Sequence, residues 1–457
     1  MKTGIPIGLT MEDSLRACVK DICDSIAEGS LDPGHLTQVK DWKRGDDGNF
    51  RPRYRMHSSV NLRELEDRES FRTCADQARN NPIAGPQLDQ LVGTSVAQTR
   101  LTLDQIVRTL VGRMYSEDGR FEFDDDRFQQ EWGLIYHYLS AETFDYVTIA
   151  PLPGFAAPFP VNISPNIVID RLTDEEVTRC VRVGILGPLS PDFELIFEDS
   201  AVGLRCTESM EKVVGKADLV SDTGSFGRRG PVDAITIVDD VLTALRLFKQ
   251  GRVQCPGEVS GVKAWLLSAG HSYRIRASHP LISSNYELRD MEVEEFQKMW
   301  SDLTGGELER RRFLAMALRR FNMAFERQQL DDRIVDLMIA AESLFLNDSG
   351  DPRERGEQRF RLAIRAAKFV EYPRYVPRQV FDLMRKAYNI RSEIVHGSSI
   401  KKTNLPDMPD AKLNDFVLAC EELMRLGIRK ALIDPQVGRT RYWEGLLFNN
   451  PIEGGQE

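Results

Sequence analysis

No stretch of the 457-residue chain approaches the 18 or so consecutive apolar residues of a membrane-spanning helix, so no contact with a membrane core is expected. Its first residues, MKTGIPIGLTMEDSLR, lack the apolar core of a secretion signal. Cysteine is scarce and scattered, at positions 18, 23, 74, 180, 206, 255 and 420, with no C-x-x-C pair and an odd total. That pattern argues against structural zinc and for a reducing cytoplasm. His271 and His279 stand eight apart with no carboxylate pair nearby, so no metal is assigned, and no cofactor is expected. The run Gly224-Ser-Phe-Gly227-Arg-Arg-Gly230 has neither a Walker Lys-Ser/Thr nor Rossmann spacing and reads as a flexible loop. Asp124, Asp125 and Asp126 lack the periodicity of a calcium loop. There is no internal repeat.

What is present is a chain with 41% hydrophobic residues, long enough for two or three packed domains. The pattern predicts an α+β multidomain protein, with a mixed α/β N-terminal region followed by an all-α C-terminal bundle. Residues 1–143 read as mostly helical, with helices over 11–29 and 98–115. Between them, residues 30–85 are rich in turns and charge. There Lys40–Arg55 interleaves basic residues with Trp42, Phe50 and Tyr54, a composition that could stack and clamp single-stranded RNA or simply form a polar hairpin.

Residues 144–304 read as mixed α/β. Strands are expected at Tyr146–Ile149, Ile167–Ile169, Phe193–Phe197, Ala234–Val238 and Val262–Leu267. A capping box at Thr173–Glu176 opens one helix, and Asp239–Lys249 forms another. Gly305-Gly306 is the expected linker to residues 305–435, with 436–457 as a tail.

The segment with most chemistry is Arg385-Lys-Ala-Tyr388-Asn-Ile-Arg391-Ser392-Glu393-Ile-Val-His396-Gly397. Pro377 suits a first helical turn and Gly397 a left-handed C-terminal cap. Between them Val380, Met384, Ala387 and Ile394 form an apolar stripe, flanked by Phe381, Tyr388 and Val395. Arg391 falls on that stripe, where an unpaired charge is costly, so it needs a partner. Glu342, flanked by Val335, Met338 and Phe345 at helical spacing, is the candidate. His396 lies about 140° further round the helix, so spacing alone does not aim both groups at one point.

Arginine can clamp phosphate oxygens, and histidine can move a proton near neutral pH. A pairing of Arg391 with a carboxylate and a capping His396 would equally be structural.

The segment resembles the Arg-x4-His signature of the HEPN superfamily, most closely its Apea-like branch. Asp336–Leu346 is similar to that family's acidic-in-apolar second helix, and Gln358–Lys368 to its third. The resemblance covers about residues 305–435. It implies a metal-independent endoribonuclease that leaves 2′,3′-cyclic phosphate and 5′-hydroxyl ends, with Arg391 and His396 catalytic and Glu342, Tyr388, Ser392 and Glu393 in support.

The resemblance further implies a homodimer that lines one cleft with two Arg–His pairs, and a role as an anti-phage or toxin effector. The N-terminal region would then sense a phage-derived or neighbouring-gene trigger. At a helix C-terminus a cationic imidazole is favoured, which suits a general acid.

Two positions depart from family patterns. Ser398 stands where the toxins that are silenced by adenylylation carry tyrosine, and Ser392 where many active members have Asn, Asp or His. The other function class is a non-catalytic HEPN module that dimerises and binds a nucleotide or protein.

Charge is unevenly shared. Residues 307–434 hold 24 Lys and Arg against 20 Asp and Glu, within a chain of net charge −10, so only this region suits a polyanion. Arg310, Arg311, Arg312, Arg319 and Arg320 cluster near its start, beside core-like Leu314, Leu318, Phe321 and Phe325. Arg310, Arg311 and Arg312, with Lys401 and Lys402, are candidate phosphate contacts; a solvated helix face is the alternative.

Overall fold

The computed structural model describes residues 10–32, 37–46, 50–57, 62–94, 98–116, 119–186, 201–215, 234–262, 272–276, 286–305, 307–347, 357–371, 374–397, 413–439 and 441–448. These divide into two units that interleave along the chain. One spans Met1–Pro153, Phe159–Ile237 and Cys255–Arg276, the other Gly154–Pro158, Val238–Gln254 and Ala277–Glu457. The architecture is mixed α/β, with the sheets in the N-terminal half and a helical C-terminal region. No helix among the described residues is long and apolar enough to cross a membrane.

In the first unit, helix α1 (Met11–Ala27) starts at a reciprocal cap. The Thr10 hydroxyl accepts the Asp13 N–H, and the Asp13 carboxylate accepts the Thr10 N–H, each at 3.2 Å. Gly29, at φ +74°, follows its end. The apolar face of α1, with Leu15, Cys18, Val19 and Ile22 buried, packs on α3 (Glu69–Asn80) and α4 (Leu103–Arg113), and α5 (Asp125–Ser140) packs on α4. Short α2 (Leu62–Glu66) precedes α3.

Helices α2 and α3 lie in the stretch that reads as turns, because charged residues surround the few apolar anchors Leu65, Phe71 and Cys74. The Asp124–Asp126 run is a helix start. Asp124 caps α5 by accepting the Arg127 N–H at 3.0 Å, and the other two acids occupy the favourable first turn. Of the expected 98–115 helix, residues 98–100 are a strand, and the helix starts after the Thr102 cap.

Strands β1 (Thr37–Arg44) and β2 (Phe50–His57) form an antiparallel hairpin. Trp42 and Phe50 are buried in a core with Ile149, Val177 and Cys180, and the Trp42 N–H donates to Thr178 Oγ1 at 2.9 Å. The polar-hairpin alternative therefore holds for these two rings, which are packed away from any RNA.

A small antiparallel sheet joins β3 (Leu91–Gly93), β4 (Gln98–Arg100) and β10 (Val213–Val214). The main sheet has six strands in the order β12 (Ser272–Ile275), β11 (Gly257–Val262), β5 (Thr143–Pro151), β9 (Val202–Glu211), β8 (Ile167–Arg171), β7 (Val161–Ser164), every pair antiparallel. Its helix α6 (Asp174–Arg182) opens at the expected capping box, where Thr173 N–H donates to Glu176 Oε2 at 2.8 Å. The same Glu176 takes two bonds from Arg205 on β9, at 2.6 and 2.7 Å.

The expected strand at Phe193–Phe197, the loop at 224–230, His271, His279, and residues 263–267 of the Val262–Leu267 strand lie outside the described residues.

The second unit holds α7 (Ala234–Phe248) from Val238 onward, a parallel pair of β6 (Phe155–Ala156) and β13 (Tyr286–Glu287), and helices α8 (Val293–Thr304) through α15. Ala234–Val238, which reads as a strand from its β-branched residues, is instead the opening of α7. Gly305 follows α8 inside this unit, so it does not divide the units.

After α9 (Glu307–Arg310) come α10 (Arg312–Glu326), α11 (Leu330–Phe345), α12 (Gln358–Phe369), α13 (Pro377–Val395) and α14 (Leu413–Ile433). Helix α11 is central and packs on α10, α12, α13 and α14. The stretch that reads as a tail carries α15 (Tyr442–Phe448). Its Trp443 is buried against Phe345 and Phe369 and donates to Asn347 Oδ1 at 2.9 Å.

The interior also carries charge. Glu421 of α14 accepts from Arg333 of α11 and, at 3.1 Å, from Arg425 one turn on. Arg333 is 2% and Arg425 1% exposed. Burial disfavours both guanidinium charges, and Glu421 opposes that shift. Glu421→Gln would take the carboxylate partner from buried Arg333 and leave Arg425 with Glu422 as its remaining carboxylate. It should destabilise the protein by about 3–5 kcal/mol in denaturant unfolding; a loss below about 1 kcal/mol would show that the network is not holding the helices.

Candidate active site

Helix α13 starts as its sequence suggests, with Pro377 in the first turn and the Val376 N–H donating to Gln379 Oε1 at 3.1 Å. It ends at His396, whose N–H donates to the Ser392 carbonyl at 3.1 Å, and Gly397 takes the left-handed conformation at φ +77°. The buried side is Val380, Phe381, Leu383, Met384, Ala387 and Ile390. The apolar stripe does not continue to the end, because Ile394 is only half-buried and Val395 is 58% exposed.

Arg391 leaves this helix toward α11, where its Nη2 sits 3.6 Å from Glu342 Oε2. The expected partner is therefore the observed one. Both side chains are 27% exposed, so the pair is shielded without being sealed. Burial raises the Glu342 carboxyl above its ordinary value of 4.5, and the Arg391 charge pulls it back. Tyr388, one turn before Arg391, is half-buried. Its hydroxyl is raised first by burial and then by Glu342, with Arg391 and Arg359 opposing. Glu342, Tyr388, Arg391 and Arg359 thus share one neighbourhood on α11, α12 and α13.

His396 is not in that group. It is exposed at the end of a polar stripe of exposed and half-buried residues that runs Arg378, Asp382, Arg385, Asn389, Ser392, His396 at alternating spacings of four and three. No described residue bonds its imidazole. Ser392 is half-buried and Glu393 exposed, and neither side chain has a partner among the described residues. The expected angular offset between Arg391 and His396 is therefore retained within one chain: the arginine faces the bundle and the histidine faces solvent.

The basic cluster separates on inspection. Arg311 caps the end of α14 by donating to the carbonyls of Ala431, Asp434 and Val437 at 2.6, 3.2 and 3.0 Å. Both terminal nitrogens are bound to carbonyls, which corrects its reading as a phosphate contact. Arg320 is likewise engaged, at 2.9 Å from Asp336 Oδ1, where Arg327 takes the other oxygen at 2.7 Å. Arg310, Arg312 and Arg319 are exposed. Lys401, Lys402 and Ser398 lie outside the described residues.

Sequence reasoning missed Arg359. Its Nη1 donates to Asn389 Oδ1 at 2.8 Å, across 30 residues from α12 to α13. The nearest signal was its place in the first turn of the expected third helix.

Among the described residues, no group of three or more His, Cys, Asp or Glu could hold a metal ion. Comparison with protein-family models, curated proteins and solved structures finds no match to the chain.

The Glu342 shift has a pH consequence of definite sign. The folded state binds its proton more tightly than the unfolded chain does, so stability declines as pH rises from 4.5 through the raised folded value. Removing the charge that opposes the shift, in Arg391→Met, should move the Glu342 titration further up in carboxyl NMR and extend that decline to higher pH. The double variant with Glu342→Gln should abolish the added dependence. A Glu342 titration that stays put in Arg391→Met would show that the two groups are not coupled.

Proposed function

We propose that residues 305–435, within the second unit, form a metal-independent HEPN-type endoribonuclease, and that the chain is an anti-phage or toxin effector controlled by its N-terminal region. The observation that carries this reading is the end of α13. There one helix presents an arginine oriented by a half-buried carboxylate and, five residues on, a solvent-facing histidine without a partner among the described residues. An unpaired, exposed imidazole can exchange protons with a bound substrate. A guanidinium held beside Glu342 is fixed in direction, which suits it to a phosphate whose charge grows in the transition state.

In this reaction the RNA 2′-hydroxyl attacks the adjacent phosphorus and the bond to the 5′-oxygen breaks. His396 transfers the protons and Arg391 stabilises the phosphoryl oxygens. Tyr388, Ser392 and Glu393 surround the pair and shape its access. The two functional groups diverge within one chain, which fits a working site assembled from two copies through α13. Val395 at 58%, Val376 at 60% and Phe360 at 55% exposure offer such a contact its apolar surface.

One observation favours a second reading, that of a non-catalytic module binding a nucleotide or protein. The Arg391 charge is already balanced by Glu342, as it would be in a purely structural pair.

Purified protein should cut RNA in the presence of EDTA and leave 2′,3′-cyclic phosphate ends. His396→Ala and Arg391→Ala should each lower the rate about a thousandfold or more, with the fold intact by circular dichroism. Full activity in both variants, or cleavage that EDTA abolishes, removes the nuclease reading in favour of the second.

A further inference from the structure

We infer that Arg359 is a second phosphate-binding cation of this site, held ready by Asn389 and serving single-stranded RNA on the same face as His396. The inference rests on the nuclease reading and adds to it a residue on a different helix.

Charge is partitioned differently between Arg391 and Arg359. Arg391 faces the bundle with Glu342 as counter-ion, so bringing it to a phosphate means sharing or breaking that pair. Arg359 differs in every respect. It is exposed, and among the described residues it has no acidic partner and one hydrogen bond, to the neutral side-chain amide of Asn389. A neutral acceptor fixes the direction of the guanidinium and leaves its charge uncompensated, as a site for an anion requires.

The position is also informative. Asn389 belongs to the stripe that ends at His396 and precedes the histidine by two turns, about 10.5 Å along the axis at 1.5 Å per residue. Because Asn389 gives its carbonyl oxygen to Arg359, its amide hydrogens remain free to donate. Arg359, Asn389, Ser392 and His396 thus form a polar track of donors, bordered by the exposed Glu393 one turn after Asn389. Two other cations on the stripe are compensated: Arg378 and Arg385 both pair with Asp382, at 3.0 and 3.6 Å. A flexible polyanion that passes His396 meets the uncompensated charge of Arg359 on the same face.

The test is a binding titration in the full-length His396→Ala protein, with a fluorescein-labelled single-stranded RNA of mixed sequence followed by anisotropy across salt concentrations. Arg359→Gln should weaken binding on the order of tenfold, the worth of one charge-assisted contact. It should also make the plot of log K against log salt shallower by about 0.7, the contribution of one phosphate on a single strand. Arg359→Lys should keep the slope.

Asn389→Asp is the decisive variant. It strengthens the contact to Arg359, so a structural role predicts unchanged or improved stability and unchanged binding. A role in binding phosphate predicts weaker binding, because the cation has gained a counter-ion. Equal affinity and slope in Arg359→Gln, Asn389→Asp and their parent, while the wild type cuts RNA, would overturn this inference alone. A parent that binds no RNA, with a wild type that cuts none, would overturn it together with the nuclease reading.

Discussion

The helical unit depends most on the buried carboxylate of Glu421. Glu421 lies between Arg333 of α11 and Arg425 of α14, and Arg425 also donates through Nε to the Arg246 carbonyl of α7 at 2.7 Å. Arg246 continues the chain of contacts to Asn322 of α10 at 3.2 Å, and Asn322 returns a bond to Thr243 of α7 at 2.6 Å. Four helices are thereby fixed in mutual register by groups that tolerate little misplacement, because an ion removed from water must find its partners or incur the full cost of desolvation. Apolar packing alone would permit more alternatives. The consequence reaches the candidate site, since Glu342 stands on the same α11 as Arg333. The direction of Arg391 depends on where α11 is held.

What was readable beforehand follows from the range of the forces involved. The ends of α6 and α13 were legible because capping acts within four residues: Thr173 with Glu176, Pro377 and Gly397 at either end of one helix. The Glu342–Arg391 pair was legible for a related reason, as an arginine on an apolar stripe demands a carboxylate and few candidates face inward. Ala234–Val238 misled because β-branched residues favour strands only when a sheet receives them, and α7 is buried as a helix instead. That α7 belongs with α10 and α14 rather than with its sequence neighbours was not readable, since no local signal records a contact 179 residues away.

The same limit explains the residues whose expected roles changed. Trp42, Phe50 and Arg311 have the composition of a nucleic-acid surface, yet each is claimed by an acceptor or a core that only the folded chain supplies. Trp42 and Phe50 lie against α6 and the main sheet, and Arg311 finds three orphan carbonyls at a helix end. Composition identifies which side chains can meet a phosphate or a base. Tertiary structure decides which are still available to do so.

Availability, applied to the helical unit, narrows the electrostatic argument. Its modest excess of Lys and Arg is a weak attractor for RNA as a bulk quantity. Much of that positive charge is spoken for: Arg333 and Arg425 by Glu421, Arg320 and Arg327 by Asp336, Arg391 by Glu342, Arg378 and Arg385 by Asp382. A cation already paired contributes little to a polyanion's binding, because the anion must displace a carboxylate to reach it. Binding specificity in such a unit therefore depends on the few cations whose partners are neutral, and on the helix faces they occupy. Arg359 is one of these, and from α12 it bonds Asn389 on the α13 stripe that leads to His396. The same partition gives the Arg391–Glu342 pair a role that either functional reading can use. It keeps a guanidinium in place beside the bundle until a stronger anion competes for it.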